Sequence, residues 1–217
     1  MTLNIEQARH AMIEQQVRPW NVVDMQALGA MNAMPRERFV PAQYKSLAFT
    51  DAALPIGHGE WMLKPVVEGR MLQALKLGAN DDVLEIGTGS GLITACLAHL
   101  ARAVTSIDIH ADFVDAAKAK LAELEITNVQ YECVDALTYR PDRQFDAIAV
   151  TGAVAVVPET FKQWLRPNGR LFVIQGQSPV QEAVCITRTG DAFETESLFE
   201  TDVPYLLGAS PKQLFSL

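Results

Sequence analysis

The run Val83-Leu84-Glu85-Ile86-Gly87-Thr88-Gly89-Ser90-Gly91 constrains this chain more than any other segment. A short apolar stretch leads into three glycines at alternate positions, and an apolar run follows from Leu92. Glycine adopts positive φ without steric cost and lets the backbone approach a ligand closely. A strand, a tight glycine turn and a helix in that order belong to a parallel sheet wrapped by helices, with a ligand at the strand's C-terminal end. The downstream pattern agrees. Strands are predicted over 83–86, 103–107, 129–134, 145–150 and 170–174, with helices over 92–100, 112–124 and 158–165, the last opened by Pro158. The near-continuous apolar run at 145–150 reads as a strand covered on both faces. Alternation of this kind gives an α/β fold of Rossmann-like type. The tail departs from it, since 182–188 and 193–198 flank Gly190-Asp191 and read as a hairpin at the sheet edge.

The first third is organised differently. Prolines at 19, 35, 41, 55 and 65 punctuate it. Helices are predicted over 5–17, ending before Pro19, and over 23–33, ending before Pro35, because the residue before a proline avoids the helical region. A short turn is expected at 44–48. Residues 54–60 read as a loop, with two glycines and a proline in seven positions. A helix over 66–77 stops at Gly78. The chain therefore divides into an N-terminal helical extension, 1–78, and an α/β domain, 79–217, expected as one compact unit.

Charge decides which ligand suits the turn. A dinucleotide fold spaces its glycines G-x-G-x-x-G, whereas here Leu92 takes the third slot. Glu85, just ahead of Gly87, would repel a pyrophosphate and suits a cation. S-adenosylmethionine carries a sulfonium and an ammonium and no phosphate, so it fits better than a nicotinamide dinucleotide. Asp108 ends the next strand, 21 residues after Gly87, where a carboxylate can accept both ribose hydroxyls. Asp135, followed by Ala136, suits either an adenine amino group or a turn cap.

Other features exclude alternatives. With 18 Lys+Arg against 26 Asp+Glu the net charge is −8, which disfavours nucleic acid as a partner. No window is apolar enough to span a bilayer, and Met1 to Gln16 has no apolar core of signal-peptide type. Cys96, Cys133 and Cys185 are odd in number and far apart, which reads as small buried hydrophobes in a reduced, cytoplasmic protein. His10, His58, His99 and His110 lack ligand spacing, so no metal is expected. Met25, Met31 and Met34 could form an apolar face for a homodimer or simply pack, which leaves monomer and dimer open.

Several collinear stretches together resemble the protein-L-isoaspartate O-methyltransferase family. Met34-Pro-Arg-Glu-Arg-Phe-Val40 resembles its V-P-R-E-x-F-V, Ala53-Leu-Pro-Ile-Gly-His-Gly59 its A-L-P-I-G-x-G, and Val83 to Gly91 its V-L-E-I-G-T-G-S-G. Pro65, Arg70 and Met71 match its P-x-x-x-A-R-M helix start. Phe145-Asp-Ala-Ile-Ala-Val-Thr151 resembles F-D-A-I-I-V-T-A, and Val203-Pro-Tyr-Leu206 is a weaker echo of F-V-P-L. The resemblance runs over about 5–207. It implies a seven-strand class I S-adenosylmethionine-dependent methyltransferase sheet with an N-terminal helical extension. It also implies methyl transfer to an isoaspartyl carboxylate of a damaged protein or peptide, with S-adenosylhomocysteine as product. On the same basis Glu85, Gly87, Thr88, Gly89, Gly91, Asp108, Ile109, Asp135, Ala136 and Thr151 contact cofactor, and Leu54, Pro55, Ile56, Val203 and Pro204 border the substrate groove.

One segment departs from that pattern. After A-L-P-I-G-x-G the family continues x-T-I-S-x-P, with Thr and Ser beside the acceptor carboxylate. This chain has Glu60-Trp61-Met62-Leu63-Lys64-Pro65, so both hydroxyls are replaced, by Trp61 and Leu63. The prolines that the family usually has in its acceptor loop are also missing from Thr151-Gly-Ala-Val-Ala-Val. Trp61 reads equally as a core aromatic or as a stacking wall for an acceptor. Lys64 reads as a solvated lysine or as a charge that steers an anion, and His58 as a hydrogen-bonded turn residue or a base. Three readings remain open: an isoaspartyl methyltransferase, a methyltransferase with another, unknown small acceptor, and a non-catalytic module that binds the cofactor.

Overall fold

The structure, a computed structural model, describes residues 4–211, so the ends of the expected 1–78 and 79–217 segments lie outside the described residues. A seven-stranded sheet runs in the order β5-β4-β3-β6-β7-β8-β9. Its parallel part comprises β3 (Asp82–Ile86), β4 (Ala103–Asp108), β5 (Val129–Cys133), β6 (Phe145–Val154) and β7 (Leu165–Gln177). β8 (Val180–Thr189) and β9 (Ala192–Thr201) pair antiparallel as the expected hairpin at the sheet edge. β6 and β7 run longer than their apolar cores suggest, because both continue past the sheet centre through a register irregularity between Ala149 and Ala153.

Every residue of β3 is buried, as a strand flanked by neighbours and covered by helices requires. Strand alternation sends Val83 into a core shared with the N-terminal helices, α4 (Pro65–Leu75) and α5 (Leu92–Leu100). It sends Leu84 and Ile86 to the opposite core, against Phe161 of α7 (Glu159–Gln163) and Trp164. Helix α6 (Ala111–Glu123) follows β4.

The N-terminal segment differs from expectation in several places. α1 (Ile5–Met12) is capped by the Asn4 side chain, then widens into a π turn over Ile13–Val17 and tightens to 3-10 over Arg18–Trp20. The helical path therefore passes through Pro19, since a tight terminal turn tolerates the missing donor. α2 (Met25–Ala33) starts two residues later than expected, because Asp24 caps it by accepting from Gln26 and Ala27. α3 (Arg36–Phe39) and a 3-10 turn over Ala42–Leu47 complete the extension. α4 ends at Leu75 with Lys76 in the left-handed region at φ 45°, so Lys76 and not Gly78 makes the stop. Of the methionines, Met31 and Met34 are buried and Met25 is exposed, so packing accounts for two of the three. Cys133 is exposed, unlike Cys96 and Cys185.

Residues 54–60 also correct expectation. β1 (Leu54–Gly57) and β2 (Glu60–Met62) form a hairpin pairing Leu54 with Met62 and Pro55 with Trp61. His58 and Gly59 both have positive φ, 54° and 81°, the demand of a two-residue primed turn whose twist matches its strands. Of the two glycines taken as strand breakers, Gly57 closes β1 and Gly59 belongs to the turn.

Candidate cofactor and acceptor site

The glycine turn leaves the C-terminal end of β3 and stands over an open cleft of about 650 Å³. Gly87, Gly89, Asp108, Ile109, Asp135, Ala136 and Thr151 all line it, together with Ile56 from the hairpin. Backbone geometry explains two glycines. At Gly87 (φ 96°) a Cβ would stand 2.2 Å from Thr151 Oγ1, and at Gly91 (φ 87°) 2.9 Å from Ala117 Cβ. Gly87 thus lets β6 close on the turn, where Thr151 Oγ1 donates to the Gly87 carbonyl at 2.7 Å. Gly91 serves the packing of the turn on α6 and does not line the cleft.

Asp108 holds the turn from below. Its Oδ2 accepts from Gly89 N at 2.9 Å and its Oδ1 from His110 N at 2.9 Å. Each carboxylate oxygen keeps lone-pair capacity for a further donor, since an ionised carboxylate has about four acceptor sites. Asp135 caps its own turn by accepting from Leu137 N at 2.8 Å, and it faces the cleft as well. Both uses weighed for Asp135 are therefore compatible.

Glu85 lies elsewhere. It is fully buried beneath the turn, with Oε2 accepting from Thr94 Oγ1 and Ser106 Oγ at 2.6 Å each, while Oε1 has no partner among the described residues. Alternation puts Glu85 on the Val83 face, under α5, so its side chain cannot touch a ligand in the cleft. Burial pushes its carboxyl up to about 8; the two hydroxyls oppose that and Asp108 reinforces it. Thr88 is likewise buried, its hydroxyl 2.6 Å from Ser106 Oγ.

The acceptor side is built on β2. Trp61 is 45% exposed, so it is not a core aromatic. It stands between the cleft and a second groove of about 820 Å³, and lines both. Leu63, Lys64, Val203 and Pro204 line the second groove, with Asp202 and Tyr205. A narrow inner cavity joins Trp61 and Leu63 to Thr88, Gly89 and Glu68. Leu54 and Pro55 face none of these spaces. Leu54 is 2% exposed and packs in the core, as its register opposite the buried Met62 requires. His58 Nε2 donates to Asp112 Oδ2 at 2.9 Å, outside the cleft.

Sequence reasoning missed Glu60, His110, Leu206 and Leu207 of the cleft. Glu60 and His110 follow assigned motifs by one or two residues, and that adjacency was the available signal. Leu206 is carried in by the main chain of 204–206, which bonds to Ala153 at 2.8 Å in both directions.

The cleft lining holds three carboxylates (Glu60, Asp108, Asp135) and one histidine, with no lysine or arginine among the described residues. Such a surface repels phosphate and suits a ligand bearing positive charge. The family model described as Protein-L-isoaspartate(D-aspartate) O-methyltransferase matches residues 7–206. This chain belongs to that family. A relative from Rhodopseudomonas palustris (strain ATCC BAA-98 / CGA009), called Protein-L-isoaspartate O-methyltransferase, is 39% identical over 201 residues, covering 91% of this chain and 92% of that protein. One of the same name from Methylorubrum extorquens (strain PA1) is 38% identical over 93% of this chain and 90% of its own length. The fold is shared with a structure from Plasmodium falciparum assigned to the same activity and complexed with S-adenosyl-L-homocysteine (TM-score 0.79, 17% identity, 94% of this chain and 98% of that one). The expected class I methyltransferase sheet with its N-terminal helices is thus the architecture of the family.

Proposed function

We propose that this member of the family binds S-adenosylmethionine in the cleft under Trp61 and methylates an isoaspartyl carboxylate of a damaged protein segment in the adjoining groove. The observation that carries the reading is the position of Trp61 as the common wall of the two spaces. S-adenosylmethionine supplies a methyl group activated by a sulfonium. Gly87 and Gly89 allow backbone approach to it, Asp108 accepts from its ribose hydroxyls, and the carboxylate ring offsets its positive charge.

An isoaspartyl carboxylate is ionised at neutral pH, so it needs no general base. The residues around it must position it within about 3–3.5 Å of the methyl and exclude water. Trp61 and Leu63 do the second; for the first, Leu63 offers no hydrogen bond and Trp61 only its indole N–H. Lys64, which lines the groove, supplies the positive charge that draws an anion in. Three free cysteines suit a reducing compartment, and we place the activity in cytoplasmic protein repair.

Transfer of labelled methyl to an isoaspartyl peptide, read against the same peptide with normal aspartate, tests this directly. Incorporation into the first alone is the expected result. A second reading rests on the loss of both hydroxyls. If the chain binds S-adenosylmethionine by calorimetry and leaves the isoaspartyl peptide unlabelled, the acceptor is another molecule, or the chain acts as a cofactor-binding module.

A further inference from the structure

The four histidines are scattered along the sequence, yet folding brings two together at the rim of the cleft. His58 occupies the tip of the β1–β2 hairpin, and His110 and Asp112 stand at the start of α6. Their ligand atoms all lie within 4.8 Å of one another. His58 Nε2 is 2.9 Å from Asp112 Oδ2, and the two imidazole rings stack at 4.1 Å. His110 Nε2 is buried without a partner among the described residues, and an unpaired buried nitrogen is costly unless something binds it.

We propose that His58, His110 and Asp112 form a binding site for one divalent transition-metal ion of the zinc class. Two imidazoles and one carboxylate favour Zn²⁺, Co²⁺ or Ni²⁺ over Mg²⁺ or Ca²⁺, which prefer oxygen-only ligands. Three protein ligands around such an ion leave a position open to water. Parallel rings send their lone pairs side by side, so an ion shared by both requires them to splay out of the stack. His58 and Asp112 side chains are 43% and 65% exposed, and that freedom allows the rotation. Charge also favours the ion. Glu60 of β2 and Asp108 of β4 line the same cleft as His110 and add their negative charge to that of Asp112. The ion would tie the hairpin to α6 across the cleft mouth, because His110 and the hairpin residues Glu60 and Trp61 all line the cleft.

Titration of the full chain with Co²⁺, followed by its visible d–d absorption and by competition with a chelating indicator, tests the site without reference to activity. One saturable equivalent per chain is expected. His58→Asn and Asp112→Asn should each weaken affinity by at least about tenfold, while Cys133→Ser, which removes the exposed thiol, leaves it unchanged. The two ligand variants are independent, so a folding failure in one leaves the other decisive. No saturable binding, equal affinity in the ligand variants, or a thiolate-to-cobalt charge-transfer band abolished by Cys133→Ser would overturn the proposal.

Discussion

Asp108 ends β4 at 8% exposure, and its two oxygens hold the Gly89 and His110 amides. If the same carboxylate grips the ribose, Asp108→Ala removes charge-assisted bonds of about 1.5–3 kcal/mol each. At roughly 1.4 kcal/mol per decade, affinity for S-adenosylmethionine is expected to fall in calorimetry by about 10- to 150-fold for each such bond lost. An unchanged affinity would mean that Asp108 only braces the turn. On the acceptor side, Trp61→Thr with Leu63→Ser restores both hydroxyls. The exposed Trp61 is the tolerant site. Leu63 is 6% exposed, so its replacement costs about 2–3 kcal/mol in lost burial. The double variant is expected to melt lower and to label an isoaspartyl peptide faster, by roughly 10- to 150-fold if a single hydrogen bond to the carboxylate is regained. A rate that does not change would mean that the groove is reshaped beyond these two side chains.

At the scale of elements, one buried arginine holds the acceptor wall. Arg36 at the start of α3 is 2% exposed; it pairs with Glu68 of α4 and donates to the carbonyls of Ala48 at 2.8 Å and Leu63 at 3.1 Å. Burial pushes the Glu68 carboxyl above its ordinary range, and Arg36 pulls it back. Removing one partner of a buried pair leaves an uncompensated charge and costs about 3–5 kcal/mol. Arg36→Ala is therefore expected to lower the denaturation midpoint sharply in urea. Arg36→Met with Glu68→Leu is expected to recover most of that loss, and a double variant as unstable as the single would show that the two carbonyl bonds matter more than the charge pair. None of this was legible in the sequence, where charged residues read as solvated. The strands of the sheet were legible, because runs such as Phe145–Val150 are apolar at all but one position and flanked by turn residues. The β1–β2 hairpin was not, since glycine and proline weigh against a strand until the partner strand is known. Gly87, Gly89 and Asp108 declared their place through spacing alone. His58 and His110 sit far apart in sequence, and only the fold brings them together.

At the scale of the whole molecule, the sheet centre carries an ionisable group with no cation beside it among the described residues. Which face Glu85 takes depends on the register of β3 against its neighbours, and for that reason a carboxylate that reads as a cofactor ligand is a buried one. Its carboxyl is raised from 4.5 to about 8. The folded state then holds a proton that the unfolded chain has lost across that interval. Stability is fully present below about pH 4.5, falls as pH rises toward 8, and levels above it. Each unit is worth about 1.36 kcal/mol, so the ceiling of the effect is roughly 5 kcal/mol. Glu68, also raised, adds to the slope with the same sign. Urea unfolding between pH 5 and pH 9 reads the difference. Glu85→Gln keeps an acceptor for Thr94 and Ser106 and removes the titration. The variant is expected to be flatter across this range than the parent and more stable than it at pH 9. Parallel pH profiles for parent and variant would place an ionised, compensated Glu85 in the folded state and remove the neutral core from the account.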